Sequence, residues 1–148
     1  MSPATRTDPF QVGNFLVEIE GITASSFSEV SGLEAAIEVV DYRAGDLKEN
    51  TAQKLPGINR YSNITLKRGL TQDLSLWNWI NSGLTGTLER ASLSITLLDQ
   101  SDNPVLIWRL RNAWPCRWSG PTLNGNSGEV ASETLEICHE GLQLLSPG

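Results

Sequence analysis

Alternation with period two is the feature that most restricts what this chain can fold into. In NFLVEIEG, Phe15, Val17 and Ile19 point one way while Glu18 and Glu20 point the other, as in a half-buried strand. LEAAIEVVDY repeats the scheme, setting Leu33, Ala35, Ile37 and Val39 against Glu34, Ala36 and Glu38. RYSNITLK (Tyr61 to Lys67), ASLSITLLD with Leu93, Ile95 and Leu97 inward, PVLIWRLRNA and EVASETLEICHEGL each read as a further strand. DQSDNP has the chemistry of a hairpin turn. Strands in succession predict a mainly β fold of antiparallel sheets, not βαβ units.

One segment breaks the pattern. In KRGLTQDLSLWNWINSG the apolar residues Leu74, Leu76, Trp77, Trp79 and Ile80 change parity between 76 and 77, which a strand cannot do on one face. On a helix they sweep an arc of about 220°, leaving a narrow polar strip of Ser75, Asn78 and Ser82. The spacing predicts a helix of about ten residues, with Thr71 as its cap, Asp73 in its first turn and Gly83 at its end. So wide an arc exceeds one packing face. Leu74, Trp77, Trp79 and Ile80 are therefore expected at a contact with a second subunit.

DYRAGDLKENTAQKLPGIN reads as a long irregular loop, with KLPG as a turn, and loops of that length are usually functional or disordered. Residues 1–9 read as an N-terminal arm, 10–143 as one domain and 144–148 as a C-terminal tail. A length of 148 residues suits one core without disulfides or metals. The net charge of -6 argues against a specific nucleic-acid grip. No apolar run is long enough to span a membrane. The first residues lack a signal-peptide pattern, and Cys116 and Cys138 lack metal spacing, so both read as reduced residues of a protein made in the cytoplasm.

The residues give catalysis little support. His139 is the single histidine, and on a strand it and its neighbours Cys138 and Glu140 point to opposite faces. There is no GxSxG elbow, no phosphate-cradling glycine motif and no metal cluster; no catalytic residue, metal or cofactor is expected. Glu18, Glu20, Glu34 and Glu38 read as solvated carboxylates on strand faces. Trp108, Trp114 and Trp118 lie close in sequence, so a carbohydrate-binding β-sandwich is an alternative.

Taken in order, FLVEIEG, FSEVSGLEAAIEVVDYRAG, KLPGINRYSNITLKRGL, LWNWINSG and NAWPCRWSGPTLNGNSGEVASETLEICHEGL resemble the tail-tube proteins of contractile bacteriophages and of phage-tail-like contractile injection systems. The resemblance spans Phe10 to Gln143 and rests on VSGLE, LPG, NITLKRG, the W-x-W helix and NAWP occurring together. It implies a β-barrel or sandwich of two near-orthogonal antiparallel sheets, one flanking helix and a long inter-strand loop. Six copies would close into a ring, and stacked rings would form a hollow inner tube that passes cargo. The implied partners are further copies of the chain, a contractile sheath, baseplate and tube-end cap proteins, and cargo. Neither membrane insertion nor enzymatic activity is expected. Assembly would occur in the bacterial cytoplasm, within a virion or particle that is released, secreted or retained. A secreted ring-forming tube protein of a type VI-like system is the alternative within this class. On this reading Arg43, Asp46, Lys48, Glu49, Lys54 and Pro56 form a ring-stacking loop, and Glu18, Glu20, Glu34 and Glu38 face the lumen.

Overall fold

The computed structural model describes residues 9–11, 13–22, 27–43, 45 and 52–147. The chain runs β1 (Asn14–Ile19), β2 (Phe27–Ser31), β3 (Ala35–Tyr42), β4 (Gln53–Tyr61), β5 (Ile64–Gly69), α1 (Ser75–Leu84), β6 (Ala91–Leu98), β7 (Pro104–Ser119), β8 (Ser132–Cys138) and β9 (Gly141–Leu145). Seven strands follow one hydrogen-bonded path, β1-β6-β7-β8-β5-β2 with β9 also on β7, while β3 and β4 pair only with each other. Every ladder is antiparallel, as alternation predicts.

The long strand β7 turns this path into two layers. Its first half pairs with β6 and β9, completing sheet A in the order β1-β6-β7-β9, and its second half pairs with β8, opening sheet B in the order β7-β8-β5-β2. Leu110 is buried in the first half and Ala113 in the second, so the inward parity changes between them. Asn112 supplies the change: it adopts a φ of 52°, a left-handed conformation that asparagine tolerates. The register against β6 jumps there from Leu93↔Leu110 to Ala91↔Ala113, a bulge that bends the strand. The result is an open, sandwich-like pair of sheets and not a closed barrel.

Alternating residues of both sheets meet inside. Val17, Ile19, Leu93, Ile95 and Leu110 come from sheet A, and Ile64, Leu66, Leu135 and Ile137 from sheet B. Leu76, Trp79 and Ile80 of α1 join the same core. At about 1.5–3 kcal/mol for each fully buried large side chain, this core is the main driving force for folding.

Several expectations are corrected. Gln53–Asn59, expected as loop and turn, belong to β4, because β3 pairs with this segment in an antiparallel ladder interrupted by one bulge. FSEVS is a strand, β2, on the edge of sheet B. The C-terminal run is two strands interrupted at His139 and Glu140, and β9 continues to Leu145, beyond residue 143. The helix ends at Leu84 and not Gly83, with Gly86 adopting the left-handed φ of 91°. Thr71 Oγ1 accepts from Asp73 N, while Asp73 Oδ1 accepts from Ser75 N at 3.1 Å, so Asp73 takes the role expected of Thr71.

Candidate assembly surfaces

The helix divides its apolar residues between two duties. Trp79 is only 6% exposed, and its Nε1 donates to Glu89 O at 3.0 Å, satisfying the one polar atom that burial strands. Ile80 is likewise buried in its own domain. Both therefore pack inside the subunit, correcting the expectation that they face a neighbour. Trp77 is 37% exposed and stands edge-on to Trp118 with ring centroids 5.1 Å apart. Leu74 and Leu84 flank it in the open. The wide arc is real, and its solvent side is Leu74, Trp77 and Leu84.

The β3–β4 hairpin is the second surface. Both of its strands are exposed along both faces, so its alternation marks no buried side within the subunit. Ile37 and Ile58 are each 60% exposed, with Val39, Val40, Tyr42 and Leu55 also open. The ion pairs Arg60–Glu38 at 3.0 Å and Lys54–Asp41 at 3.4 Å bridge the two strands. At its base, Ser62 Oγ donates to Glu34 Oε2 at 2.7 Å, and Tyr61 leans on the His139 ring with centroids 5.5 Å apart. Of the expected stacking loop, Lys54 and Pro56 lie on β4 and Arg43 follows β3; Asp46, Lys48 and Glu49 lie outside the described residues.

The third surface is the outer face of sheet A. Glu18 lies there as parity predicts, opposite the buried Val17 and Ile19, and Glu20 follows at the end of the strand, its backbone N–H donating to Ser92 O. Glu34 and Glu38 do not join them, because they belong to the hairpin and its base. Arg109 and Arg111 share the face instead, opposed to the inward Trp108 and Leu110. The alternation in WRLRN contained that signal. Both β1 and β9 end the sheet with no further strand beyond them among the described residues.

Beneath α1 lies a buried charge cluster on the inward parity of two strands, Arg68 following Ile64 and Leu66 on β5 and Glu133 preceding Leu135 and Ile137 on β8. Arg68 on β5 donates from Nη1 to Asp73 Oδ2 at 3.1 Å and from Nη2 to Asp73 O at 3.0 Å. Its Nε lies 3.6 Å from Glu133 Oε1, and its guanidinium lies over the Phe27 ring. The Ser75 backbone N–H, and further the Arg68 charge, hold the Asp73 carboxyl below its ordinary range.

Elsewhere among the described residues, the other side chains singled out by the sequence do not converge on one point. Trp108 and Trp118 pack against the core while Trp114 pairs with Cys138 across β7 and β8, so the three offer no common platform for a sugar ring. His139 sits between β8 and β9, its Nδ1 3.1 Å from Gly141 O and its Nε2 3.0 Å from Ser62 O. Cys116 is exposed as a residue, but its sulfur turns onto β8 and donates to Glu136 O at 3.5 Å. Burial of that sulfur, and then its hydrogen bond with the Cys138 thiol, pushes the Cys116 thiol up to about 12. Among the described residues no three His, Cys, Asp or Glu side chains gather as metal ligands, and no helix is long and apolar enough to cross a membrane.

Comparison with known proteins matches residues 12–143 to the family described as T4-like virus tail tube protein gp19. The fold is similar to a chain of the anti-feeding prophage baseplate, at TM-score 0.84 and 26% identity over 95% of this chain and 98% of that one. It is similar also to a chain of the sheath-tube complex of the extracellular contractile injection system PVC, at TM-score 0.84 and 25% identity over 94% and 93%. Hcp1 from Flavobacterium johnsoniae shares the fold more distantly, at TM-score 0.58 and 15% identity over 90% and 95%. Among curated proteins no sequence matches.

Proposed function

This chain belongs to the T4-like virus tail tube protein gp19 family, and from that premise we propose that it is the structural inner-tube subunit of a contractile injection particle. Six copies close into a ring, in keeping with the 6-fold symmetry of the baseplate that holds a similar chain. Rings stack into a hollow tube, a sheath surrounds it, and cap and baseplate proteins bound its ends. The subunit works by assembly and not by catalysis. It is assembled in the bacterial cytoplasm and functions in an extracellular particle.

The observation that carries this reading is the β3–β4 hairpin. A two-stranded ribbon with apolar side chains open on both faces is marginal alone and needs a partner on each side. Stacked rings supply one: the hairpin reaches the adjacent ring, and the charged segment beyond Arg43 contributes to the same contact. The open edges β1 and β9 support ring closure, since continuing sheet A from subunit to subunit pairs backbone groups that otherwise template aggregation. That closure directs the outer face of sheet A into the bore. Leu74, Trp77 and Leu84 then form an apolar patch for a neighbouring subunit, with Trp77 as its anchor.

Negative-stain electron microscopy with sedimentation tests the proposal on the purified protein. Rings or tubes with a central hole are the expected outcome. A monodisperse monomer over the micromolar range overturns it.

A further inference from the structure

The register of sheet A determines which charges share one level of its outer face. Glu18 pairs with Ser94, Ser94 with Arg109, and Arg109 with Gln143, so one acid and one base stand on the same row across the four strands. The next row holds Arg111 opposite Gly141, with Ser92 accepting the Glu20 backbone N–H through its carbonyl at 3.0 Å. That row likewise carries one carboxylate, Glu20, and one guanidinium. Its rim adds the pair Arg90–Glu140 at 2.9 Å, which is balanced in itself. The row on the other side, Leu16, Thr96, Ile107 and Leu145, carries no charge. Asp99 and Asp102 lie beyond it in the β6–β7 turn, where Asp99 Oδ1 accepts from the Ser101 and Asn103 N–H groups and Asp102 Oδ1 from Asn14 Nδ2, at the strand ends and outside the two charged rows.

Glu18 and Arg109 are separated by the whole width of β6, about 9–10 Å between backbones at the usual strand spacing, and the two side chains form no ion pair. Each charge therefore faces solvent, yet the opposite charge of its row lies within about a Debye length at physiological salt. Seen by a large molecule sliding past, the fields cancel. Ser92, Ser94 and Gln143 fill the rest of the charged rows with neutral hydrogen-bonding groups, beside Gly141.

We propose that the outer face of sheet A is a charge-balanced track that passes polypeptides of either net charge and gives nucleic acid no foothold. This rests on the reading that sheet A lines the bore. On this track Arg109 and Arg111 offset Glu18 and Glu20 row by row, so the face is not lined by carboxylates alone. Retention of a polyanion needs a net surplus of basic groups to displace its counterions, and the two charged rows have none. Retention of a polycation needs the reverse surplus, which those two rows lack too.

The test uses assembled tubes with two probes, a fluorescent single-stranded oligonucleotide and fluorescent oligolysine, at about 50 mM salt, where phosphate contacts are strong. Wild-type tubes are expected to retain neither probe after pelleting. Glu18→Lys with Glu20→Lys is expected to raise oligonucleotide retention by about tenfold or more, and the gain should vanish in high salt. Arg109→Glu is expected to do the same for oligolysine. Wild-type tubes that hold the oligonucleotide overturn the proposal, and that result needs no variant to assemble. So does a lysine variant that assembles and gains nothing. Ser94→Cys separates this failure from failure of the bore reading. In intact tubes Cys at that position should react with a small maleimide but not with one carried on a folded protein. Equal reaction with both shows that sheet A lies on the outer wall.

Discussion

Arg68 on β5 and Glu133 on β8 occupy directly opposed register positions, and the pair is almost fully withdrawn from water, at 3% and 2% exposure. Two unlike charges in that setting are costly to separate, because the survivor remains desolvated. Glu133 also meets Trp118 Nε1 at 3.5 Å, and Arg68 fastens the start of α1 through Asp73. Glu133→Ala should therefore destabilise the fold by about 3–5 kcal/mol. Arg68→Met combined with Glu133→Leu should cost less than the two single changes added together. Urea denaturation of the four proteins measures the difference.

The Asp73 carboxyl has its affinity for protons lowered by folding, so its contribution is complete above the unfolded carboxylate range, near pH 4. That contribution is lost as pH falls through the lower folded value. Asp73→Asn should flatten the acid limb of the stability curve while leaving its neutral region reduced but level. Thermal unfolding between pH 2 and pH 7, on the order of ten points, reads both effects.

The two helix tryptophans should separate fold from assembly. Trp79→Ala removes a buried ring and should cost about 3–5 kcal/mol of stability in the unassembled protein. Trp77→Ala removes a ring whose contacts are at the surface, and should leave the unfolding transition within about 1 kcal/mol of the parent. Its effect should appear instead as rings that form only at higher concentration. Sedimentation velocity distinguishes the two variants, and normal assembly of Trp77→Ala removes this patch from the interface.

The hairpin should tolerate polar substitution as a folded element but not as a connector. Ile37→Ser with Ile58→Ser removes apolar surface that the subunit itself does not cover. The expected product is a folded protein that forms rings without long tubes. Circular dichroism and electron microscopy check the two halves of that statement.

At Gly32 the backbone has a φ of 92°, and an added Cβ would collide with the Asn63 carbonyl oxygen. Gly32→Ala should cost about 1–3 kcal/mol or more. Gly69→Ala, where the added carbon meets nothing within 4 Å, provides the control. Thermal unfolding of both variants gives the comparison.

The Cys116 thiol, pushed up to about 12, should alkylate slowly despite its exposed position. Peptide mass spectrometry after timed iodoacetamide treatment reads the rate, and Cys138→Ala should raise it by removing one partner of the sulfur.

Residue order alone determined the local geometry of much of this protein. Parity placed Val17, Ile19, Leu93 and Ile95 inward and Glu18 and Glu20 outward, because a pleated strand leaves successive side chains no other choice. The parity break at Trp77 required a helix for the same reason. Tertiary structure decided what each exposed or apolar face meets. Alternation in β3 looks the same whether its apolar side packs on its own core or waits for another chain, and here both sides stay open. Trp77 and Trp79 differ by two residues, about 200° around a helix, but only the position of the sheets selects which of them is buried. Arg68 shares the inward parity of Ile64 and Leu66, and Glu133 that of Leu135 and Ile137, but only the β5–β8 register, which no local pattern carries, brings the two charges together. The bend of β7 at Asn112 is likewise invisible to pattern, since a single left-handed residue exchanges the inward parity and carries one strand from sheet A to sheet B.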